Sequence, residues 1–478
     1  MKSFTALLLF CQWLNLMIDP YDAFVIQIPP PCVLDKSSKK FATRRNTRNI
    51  SSTLLRTSRK ESAARNGFNF SGNSLKHNFH ELMLNLLVNS QRSAPPLLNS
   101  DILIDCNSEA PPGRSKRRRV SKLQRYERIP AWPLKNGIQL QTIARLPGGN
   151  EVASRLEDRY GGMDCPNIFV NTDDISKTSP FLMLVHHNHS FDLYDPARWI
   201  EKSVIPEGFP SHAHRGMMTV TICLKGGLIH RDSLGIKQCF GADANNKYCG
   251  KHTQALNFGA GVLHELMWDN TPSRIGQRII RQEIYQIWVD LPSDQRMSNI
   301  AVDLLGGEDE TPTVIESKGS KVESSTIVIA GSHKNHNSTM MQKSGFTILQ
   351  VSVGPGKTWK HSSPLSFRSM VLYMRSGSAK IEGRQIPKHC TSFCSSDGEE
   401  VAVVADEKLG ADFLFLSGQP LDQNVVARGS TVGESDQDIA DFSKDYKENK
   451  MGKPWVENLT DAQWKMHVDR YPCEYDSE

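Results

Sequence analysis

The stretch that organises the chain reads Phe209-Pro210-Ser211-His212-Ala213-His214-Arg215-Gly216, and it is followed later by Gly259-Ala260-Gly261-Val262-Leu263-His264-Glu265. Side chains at positions i and i+2 of a β-strand point to the same face, so His212 and His214 can aim at one point. His264 comes from a later strand that is entered through a glycine-rich turn. Three neutral imidazoles on a rigid sheet suit Zn, Fe, Cu or Ni and leave positions open for water or substrate. A surface strand with two solvated histidines is the alternative interpretation.

Strand-like runs surround these two stretches and predict an all-β fold. From Gly137 onward, short apolar runs alternate with turns rich in Gly, Pro, Asn and Ser, which is typical of sandwiches and barrels. Two such sets are separated by an acidic link, so we expect two antiparallel β-barrels in tandem, over residues 137–305 and 306–478. A short C-terminal helix is predicted, because Ser435 can cap it and Ile439, Phe442 and Tyr446 share one face.

The first 136 residues differ in composition from the rest. Residues 1–23 carry an interrupted apolar run that is short for a membrane span and is typical of a signal peptide. Residues 24–136 are basic and polar, and we expect a largely disordered targeting and linker extension. The signal-like run, the Ala23-Phe24 joint and the basic, Ser-rich tract together resemble the two-part leaders of proteins in plastids with extra membranes, so we predict a plastid location. The alternatives are the secretory pathway and the nucleus, the latter indicated by the basic run 114–122, which we otherwise interpret as a solvated linker.

Charge and cysteine content argue against nucleic-acid binding, a disulfide framework and a zinc finger. The formal net charge is +5, but residues 1–130 hold 21 Lys and Arg against 9 Asp and Glu, whereas residues 131–478 hold 36 against 43. An acidic body argues against direct nucleic-acid binding, which needs clustered positive charge. The ten cysteines include no Cys-x-x-Cys pair, so free thiols are favoured over a disulfide framework or a zinc finger. We expect a monomer with no membrane segment in the mature form.

Segments spread over both halves are similar, in chain order, to the motifs of the pirin family of cupins. The resemblance runs from about Gln139 to Trp455. The matching segments are Phe209–Gly216 (FPxHPHRG in the family), Leu224–Gly227 (LEG), His230–Gly235 (HxDSxG), Gly259–His264 (AGxGIxH), Gln286–Leu291 (LQLWVNL), Val328–Gly331, Phe415–Leu421 and Asp441-Phe442. The resemblance implies two cupin barrels with one metal ion in the first.

The implied metal is iron or a similar divalent ion, with Ni, Cu and Zn as alternatives. The resemblance assigns its ligands to His212, His214 and His264, together with a glutamate two residues after the last histidine. Here that position is Leu266, and Glu265 stands one place early. A one-residue shift turns a strand side chain to the opposite face unless a β-bulge re-aims it. The position of a second family glutamate is Met218, so the metal could be absent from this chain.

Two functions from different classes follow from the resemblance. The first is a quercetin 2,3-dioxygenase-like oxidoreductase, in which a metal on the three histidines takes dioxygen and a flavonol-like aromatic substrate. Glu265 is then the nominated catalytic base, since it is the only carboxylate nearby in the sequence. The second is a non-enzymatic regulatory protein that presents a surface to a protein partner, as pirins that modulate transcription factors do. A metal-free cupin that binds a small ligand is a third possibility.

The remaining histidines are given structural roles. His230 is expected to form a hydrogen bond at a strand end rather than to bind metal. The cluster at positions 186, 187 and 189 is assigned to a plain strand and loop, and His252, His333 and His336 to solvated loops. His361 has no His-x-His partner, so we predict no metal in the second barrel.

Overall fold

The computed structural model describes residues 117–125, 127–131, 137–144, 178–196, 198, 207–242, 247–428, 430–456 and 458–476. These residues all belong to one compact unit. Residues 1–116, which include the predicted leader, lie outside the described residues, as does much of the stretch between 145 and 206.

The first part of the described chain consists of strands joined by turns. Their bounds are β1 (Val120–Arg125), β2 (Glu127–Ala131), β3 (Gly137–Ala144), β4 (Phe181–Asp192), β5 (Gly208–His214), β6 (Met217–Asp232), β7 (Lys237–Ala242), β8 (Thr253–Asn257), β9 (Val262–Trp268), β10 (Ile279–Asp290) and β11 (Ala301–Leu305).

The second part adds further strands and two helices. Their bounds are β12 (Thr313–Lys318), β13 (Lys321–Ala330), β14 (Ser332–His333), β15 (His336–Asn337), β16 (Phe346–Val353), β17 (Thr358–Ser362), β18 (Ser369–Gly377), β19 (Ala379–Ile381), β20 (Arg384–Ile386), β21 (Cys390–Cys394), β22 (Glu400–Ala405), β23 (Ala411–Gly418), β24 (Val426–Arg428), β25 (Thr431–Gly433), α1 (Asp436–Lys447) and α2 (Asp461–Arg470).

The first half is organised around the long strand β6, which takes part in two arrangements. Its first part pairs with β8 and β10 in a large sheet of order β11-β8-β6-β10-β4-β3-β2, and its second part pairs with β7 and β9. The change occurs at Gly226, whose φ of +70° is readily accessible only to glycine. The Lys225-Gly226-Gly227 segment is therefore a bend within one strand. Strands β7, second-part β6, β9 and β5 form what we call the small sheet.

The second half consists of a seven-stranded sheet, β1-β21-β18-β23-β16-β13-β12, and a four-stranded sheet, β17-β22-β19-β20. The two sheets bury a common apolar core, to which the four-stranded sheet contributes Trp359 and Val403 and the seven-stranded sheet contributes Leu349, Phe413 and Phe415. The pairing order leaves the described sheets open, so each half is a pair of packed cupin-type sheets rather than a closed ring. The predicted all-β, two-part cupin architecture is confirmed.

The two halves share a core because both large sheets are buried on both faces. Along β23, Phe413 and Phe415 face the core of the second half, while Leu414 and Leu416 pack against the first half with Tyr285. Alternate residues of a strand point to opposite faces, so each of these strands needs apolar residues at nearly every position. This explains why β23 contains the continuous apolar run Phe413–Leu416 rather than an alternating pattern.

The folded part begins earlier than the predicted start at Gly137. Strand β1 pairs with β21 at the edge of the second-half sheet, and β2 pairs with β3 in the first half. Arg118, from the basic run assigned to a solvated linker, is fully buried. Its guanidinium donates to the backbone carbonyls of four residues, which are Phe367, Arg368, Ser395 and Gly398. The linker interpretation is therefore wrong for residues 117–125, because tertiary pairing rather than local composition determines their structure.

The C-terminal segment covers the outer face of the small sheet. Helix α1 begins after the predicted cap Ser435, whose side chain accepts from the backbone of Asp438. A second helix, α2, was not predicted. Its Trp464 packs with Trp455 against Ala213 and Leu263 of the small sheet. In the part of the chain that is described, neither helix has the length and apolar character needed to cross a bilayer.

Candidate metal centre

The small sheet brings the three predicted ligands together. His212 on β5 lies directly opposite His264 on β9, and His214 lies opposite Val262. Paired residues on neighbouring strands share a face, so all three imidazoles project from the inner face of the sheet. The Nε2 atoms of His212 and His264 are 3.1 Å apart, and one nitrogen from each of the three rings lies within 4.8 Å of the others. Sequence spacing and the tertiary structure thus agree on the same three residues.

Backbone carbonyls fix the orientation of two of the rings. The Nδ1 atom of His212 lies 2.7 Å from the carbonyl oxygen of Pro210, and that of His214 lies 3.0 Å from the carbonyl of Ser430. A carbonyl can only accept, so both Nδ1 atoms carry the proton and both Nε2 atoms keep a lone pair. This outer-shell arrangement is the usual one for histidines that bind metal through Nε2. Ser430 belongs to the second half of the chain, and no local sequence signal connects it to the histidines.

Burial keeps the three imidazoles neutral. It lowers the pKa of His212 to about 4, although the hydrogen bond to Pro210 opposes the shift. Burial, reinforced by the neighbouring imidazoles, holds the pKa values of His214 and His264 well below the ordinary value. Neutral imidazole is the form that binds metal. The site therefore offers three lone pairs at neutral pH, which fits a divalent transition metal, and no other group of three such ligating side chains occurs in the residues described.

These shifts predict a loss of stability in acid. Buried histidines with folded-state pKa values of about 4 or lower, such as His212 and His361, take up protons on unfolding at any pH below the ordinary value of about 6.5. Stability is therefore unaffected by these groups above pH 7 and is lost as the pH falls from about 6.5 toward 4. At pH 5 the loss is about 2 kcal/mol for each such histidine. Denaturant unfolding of the metal-free protein at pH 7.5 and pH 5.0 checks this, and equal free energies of unfolding at the two pH values would contradict it.

Aromatic side chains surround the histidines. The ring centroid of Phe258 lies 4.3 Å from that of His214 and 5.0 Å from that of His264, and the Trp288 ring lies 5.3 Å from His214. Phe258 and Trp288 are both buried. The three imidazoles thus lie among buried apolar rings, with a small number of converging polar atoms, which is the common character of a small-molecule site.

His230 and Asp232 form a second polar group on the same inner face. The His230 ring lies 5.5 Å from the His264 ring, and its Nε2 atom lies 3.1 Å from a carboxylate oxygen of Asp232. The other oxygen of Asp232 accepts from the backbone N–H groups of Leu234 and Ile236. The expected hydrogen-bonding role of His230 is confirmed, and both oxygens of the Asp232 carboxylate are engaged.

Glu265, nominated as the catalytic base, lies on the opposite face of the small sheet. It is directly opposite Arg231 in the pairing of β9 with β6, and its carboxylate accepts from the Arg231 guanidinium at 3.2 Å. The pairing of β9 with β6 is regular from His264 to Leu266. The pairing of β9 with β5 does shift register here, but the extra residue lies on β5, between Phe209 and His212, so it does not re-aim Glu265. Burial beneath the C-terminal segment raises the pKa of Glu265. The geometry gives it a structural ion pair and no access to the histidines, which corrects its assignment as the base.

Replacing Glu265 with Gln is therefore expected to leave metal binding unchanged. The amide can still accept from Arg231, which also contacts Asp461 and the carbonyl of Leu459. The expected change in the free energy of unfolding is about 1 kcal/mol. Metal content of the purified variant, measured by elemental mass spectrometry beside the wild type, checks the first part. A substantial loss of metal would show that Glu265 reaches the centre.

The structure places the two residues that stand where the family resemblance expects glutamates. Leu266 projects from the inner face two residues after His264 and is buried in an apolar cluster with Phe209 and Trp268. Met218 packs in the core between the two halves, facing away from the histidines. A carboxylate at position 266 would point into the site, whereas one at position 218 would not.

Some of the remaining histidines are less exposed than predicted. His333, assigned to a solvated loop, is buried, and its Nδ1 atom lies 3.0 Å from that of His361. The contact forms because the β14–β15 hairpin folds over the second-half core, a tertiary effect that sequence spacing does not reveal. His336 is exposed as expected. His186 lies in strand β4, as predicted, with its ring nitrogens bonded to Tyr373 and Glu283.

Comparison with known proteins gives a family-model match for each half of the chain. Residues 164–289 match the family model Pirin, and residues 348–452 match the Pirin C-terminal cupin domain. Human Pirin is 26% identical over 300 residues, which cover 61% of this chain and 90% of that protein. A putative quercetin 2,3-dioxygenase of Vibrio cholerae is 26% identical over 311 residues, which cover 64% of this chain and 94% of that protein.

A solved structure shows the same fold. The crystal structure of a quercetin 2,3-dioxygenase from Acinetobacter baumannii aligns with a TM-score of 0.53 at 20% sequence identity, over 70% of this chain and 99% of that chain. The motifs, the two-part cupin architecture and the two family matches occur in the same order along the sequence. The chain therefore belongs to the pirin family.

Proposed function

We propose that the protein is a metal-dependent oxidoreductase that acts with dioxygen on a flavonol-like aromatic substrate. The observation that carries the proposal is the convergence of three neutral imidazole nitrogens, from the buried His214 and His264 and the partly buried His212. Relatives named as putative quercetin 2,3-dioxygenases support the reaction class. Imidazole ligands suit iron, nickel, copper and zinc, and we propose iron as the resident ion.

The residues around the centre would serve binding and exclusion of water. The metal, when bound, supplies a Lewis acid and a path for electrons between substrate and dioxygen. Phe258 and Trp288 offer flat apolar surfaces against which an aromatic ring can pack. The carbonyls of Pro210 and Ser430 hold two of the ligand rings in place before any ligand arrives. The binding geometry is thus set by the protein in advance, which lowers the cost of ordering the site.

Turnover tests this proposal. The full-length protein is loaded with Fe²⁺ without oxygen, quercetin is added, and the loss of quercetin absorbance and of dissolved oxygen are followed together on mixing with air. We expect coupled consumption of both, lost in the variant His214→Ala. A fully metal-loaded protein that consumes neither would reject the enzymatic proposal.

The second candidate is a regulatory binding protein, and the position of Glu265 favours it. The carboxylate nominated as base faces away from the histidines and pairs with Arg231. A protein of this kind would bind metal with the same three histidines and yet leave quercetin unchanged. The combination of stoichiometric metal and no turnover would therefore support this candidate over the first.

We propose a plastid location from the composition of the leader. The proposal rests on the signal-like residues 1–23 and on the basic tract that follows, and residues 1–116 lie outside the described structure. A fluorescent protein fused behind residues 1–116 should accumulate in plastids of a host with complex plastids. Retention in the secretory pathway or entry into the nucleus would overturn it.

A further inference from the structure

The inner face of the small sheet offers a metal three imidazoles and no carboxylate ligand among the described residues. Imidazole binds a metal as a neutral ligand, and the residue that follows His264 on the inner face of β9 is the buried Leu266. Leu266 lies opposite Phe209 on one side and His230 on the other. The described residues place no carboxylate within ligating distance of the three imidazoles.

The two acidic residues nearest in the sheet are already committed. Glu265 is on the outer face, paired with Arg231. Asp232 is on the inner face opposite His264, but its oxygens accept from the backbone N–H groups of Leu234 and Ile236 and contact His230. A fully buried carboxylate held by three partners has no reason to move, because each bond it gave up would leave a buried group unpaired.

We propose that the three-histidine centre selects an anionic ligand, one that brings its own negative charge to the metal, such as an ionised enol, a catecholate or a carboxylate. This inference rests on the proposed function, because it requires a metal on the three histidines. Three neutral ligands leave the positive charge of a buried divalent cation without a nearby negative charge. A ligand that carries a negative charge is therefore favoured at the metal over a neutral one. Aromatic walls at Phe258 and Trp288 strengthen the effect by excluding water.

For a substrate, this means that its hydroxyl group must ionise without a carboxylate base from the protein. A carboxylate base on the inner face would both remove a proton and reduce the charge of the centre. This chain has Leu266 at the inward position where such a group would stand. The protein should therefore discriminate strongly between an anion and a neutral molecule of the same shape, and aromatic hydroxyl compounds that ionise readily should bind better than close analogues that do not.

A matched pair of ligands tests the inference in the full-length protein loaded with Co²⁺, whose visible spectrum reports ligand exchange. Acetate and acetamide have nearly the same shape and differ in charge. We expect the ratio of acetate to acetamide affinity at the protein centre to exceed the ratio for free Co²⁺ in the same buffer by about tenfold or more, since the buried site magnifies charge. Equal ratios would overturn the inference while leaving metal binding intact.

A matched pair of variants gives the second arm. Leu266→Glu introduces an inward carboxylate, and Leu266→Gln introduces a neutral side chain of the same size. We expect Leu266→Glu to weaken acetate binding by about tenfold or more relative to Leu266→Gln, because like charges repel at the shared metal. Equal acetate affinity in the two variants would overturn the inference. Absence of Co²⁺ from the wild type would overturn both the inference and the proposed function, and the ligand pair decides the matter if Leu266→Glu does not fold.

Discussion

The double variant His212→Ala/His264→Ala should contain no more metal than background, whereas the wild type should contain close to one ion per chain. The two residues lie opposite each other on β5 and β9 and supply two of the three converging nitrogens. Loss of a single outer-shell partner typically lowers metal affinity by about 10–100-fold, and removing two direct ligands has a much larger effect. In the double variant only His214 remains as a ligand, and a single imidazole binds a metal ion weakly.

The control for this variant removes two histidines elsewhere. His252→Ala/His336→Ala deletes the same number of imidazoles from positions outside the cluster, one half-buried and one exposed. Its metal content should match that of the wild type when both are measured by elemental mass spectrometry after the same dialysis. If the His212/His264 variant kept as much metal as this control, the three-histidine centre would be excluded.

Replacing Arg118 with Ala should lower the free energy of unfolding by about 3 kcal/mol, because hydrogen bonds from a charged donor to buried acceptors are among the stronger ones and their loss leaves carbonyls unpaired. The guanidinium is fully buried and donates to four backbone carbonyls, on the Phe367-Arg368 and Ser395–Gly398 segments. Burial also lowers the pKa of Arg118, so part of the gain from these bonds is offset in the wild type. Denaturant unfolding gives the difference directly.

The adjacent residue provides the matched control. Arg119 has a half-exposed side chain and pairs with Asp397 at 3.7 Å. An exposed pair of this kind contributes little, so Arg119→Ala should change the free energy of unfolding by about 0.5 kcal/mol or less. Similar losses in the two variants would show that the basic run acts through its total charge rather than through the buried position of Arg118.

The sequence could predict the elements whose information is local. Two histidines at spacing i, i+2 in a strand necessarily share a face, and the glycine-rich turn before His264 marks the entry to its strand. The cap of α1 is visible for the same reason, since Ser435 and Asp438 lie three residues apart. The one-place shift of Glu265 was also readable, because a strand has a strict period of two.

Other features depend on contacts between distant parts of the chain. In the sequence, Arg118 belongs to a basic run that is typical of a charged linker, and only the pairing of β1 with β21 shows that it lies in the folded part. His333 and His361 are in contact only because the short β14–β15 hairpin folds over the second-half core. Ser430 contributes a backbone carbonyl to His214, and backbone groups leave no trace in residue identity. In these cases the deciding information is which strands become neighbours, and the local pattern does not contain it.

The hairpin formed by β24 and β25 has a consequence for the order of events during synthesis. It places Ala427 and Val432 in the apolar interior of the first half, and the Ser430 carbonyl holds the His214 ring. A nascent chain that has emerged only as far as β11 already contains all three ligand residues, yet lacks the group that orients one of them. Metal acquired at that stage would meet an unfinished site, so stable loading should follow the emergence and folding of this hairpin.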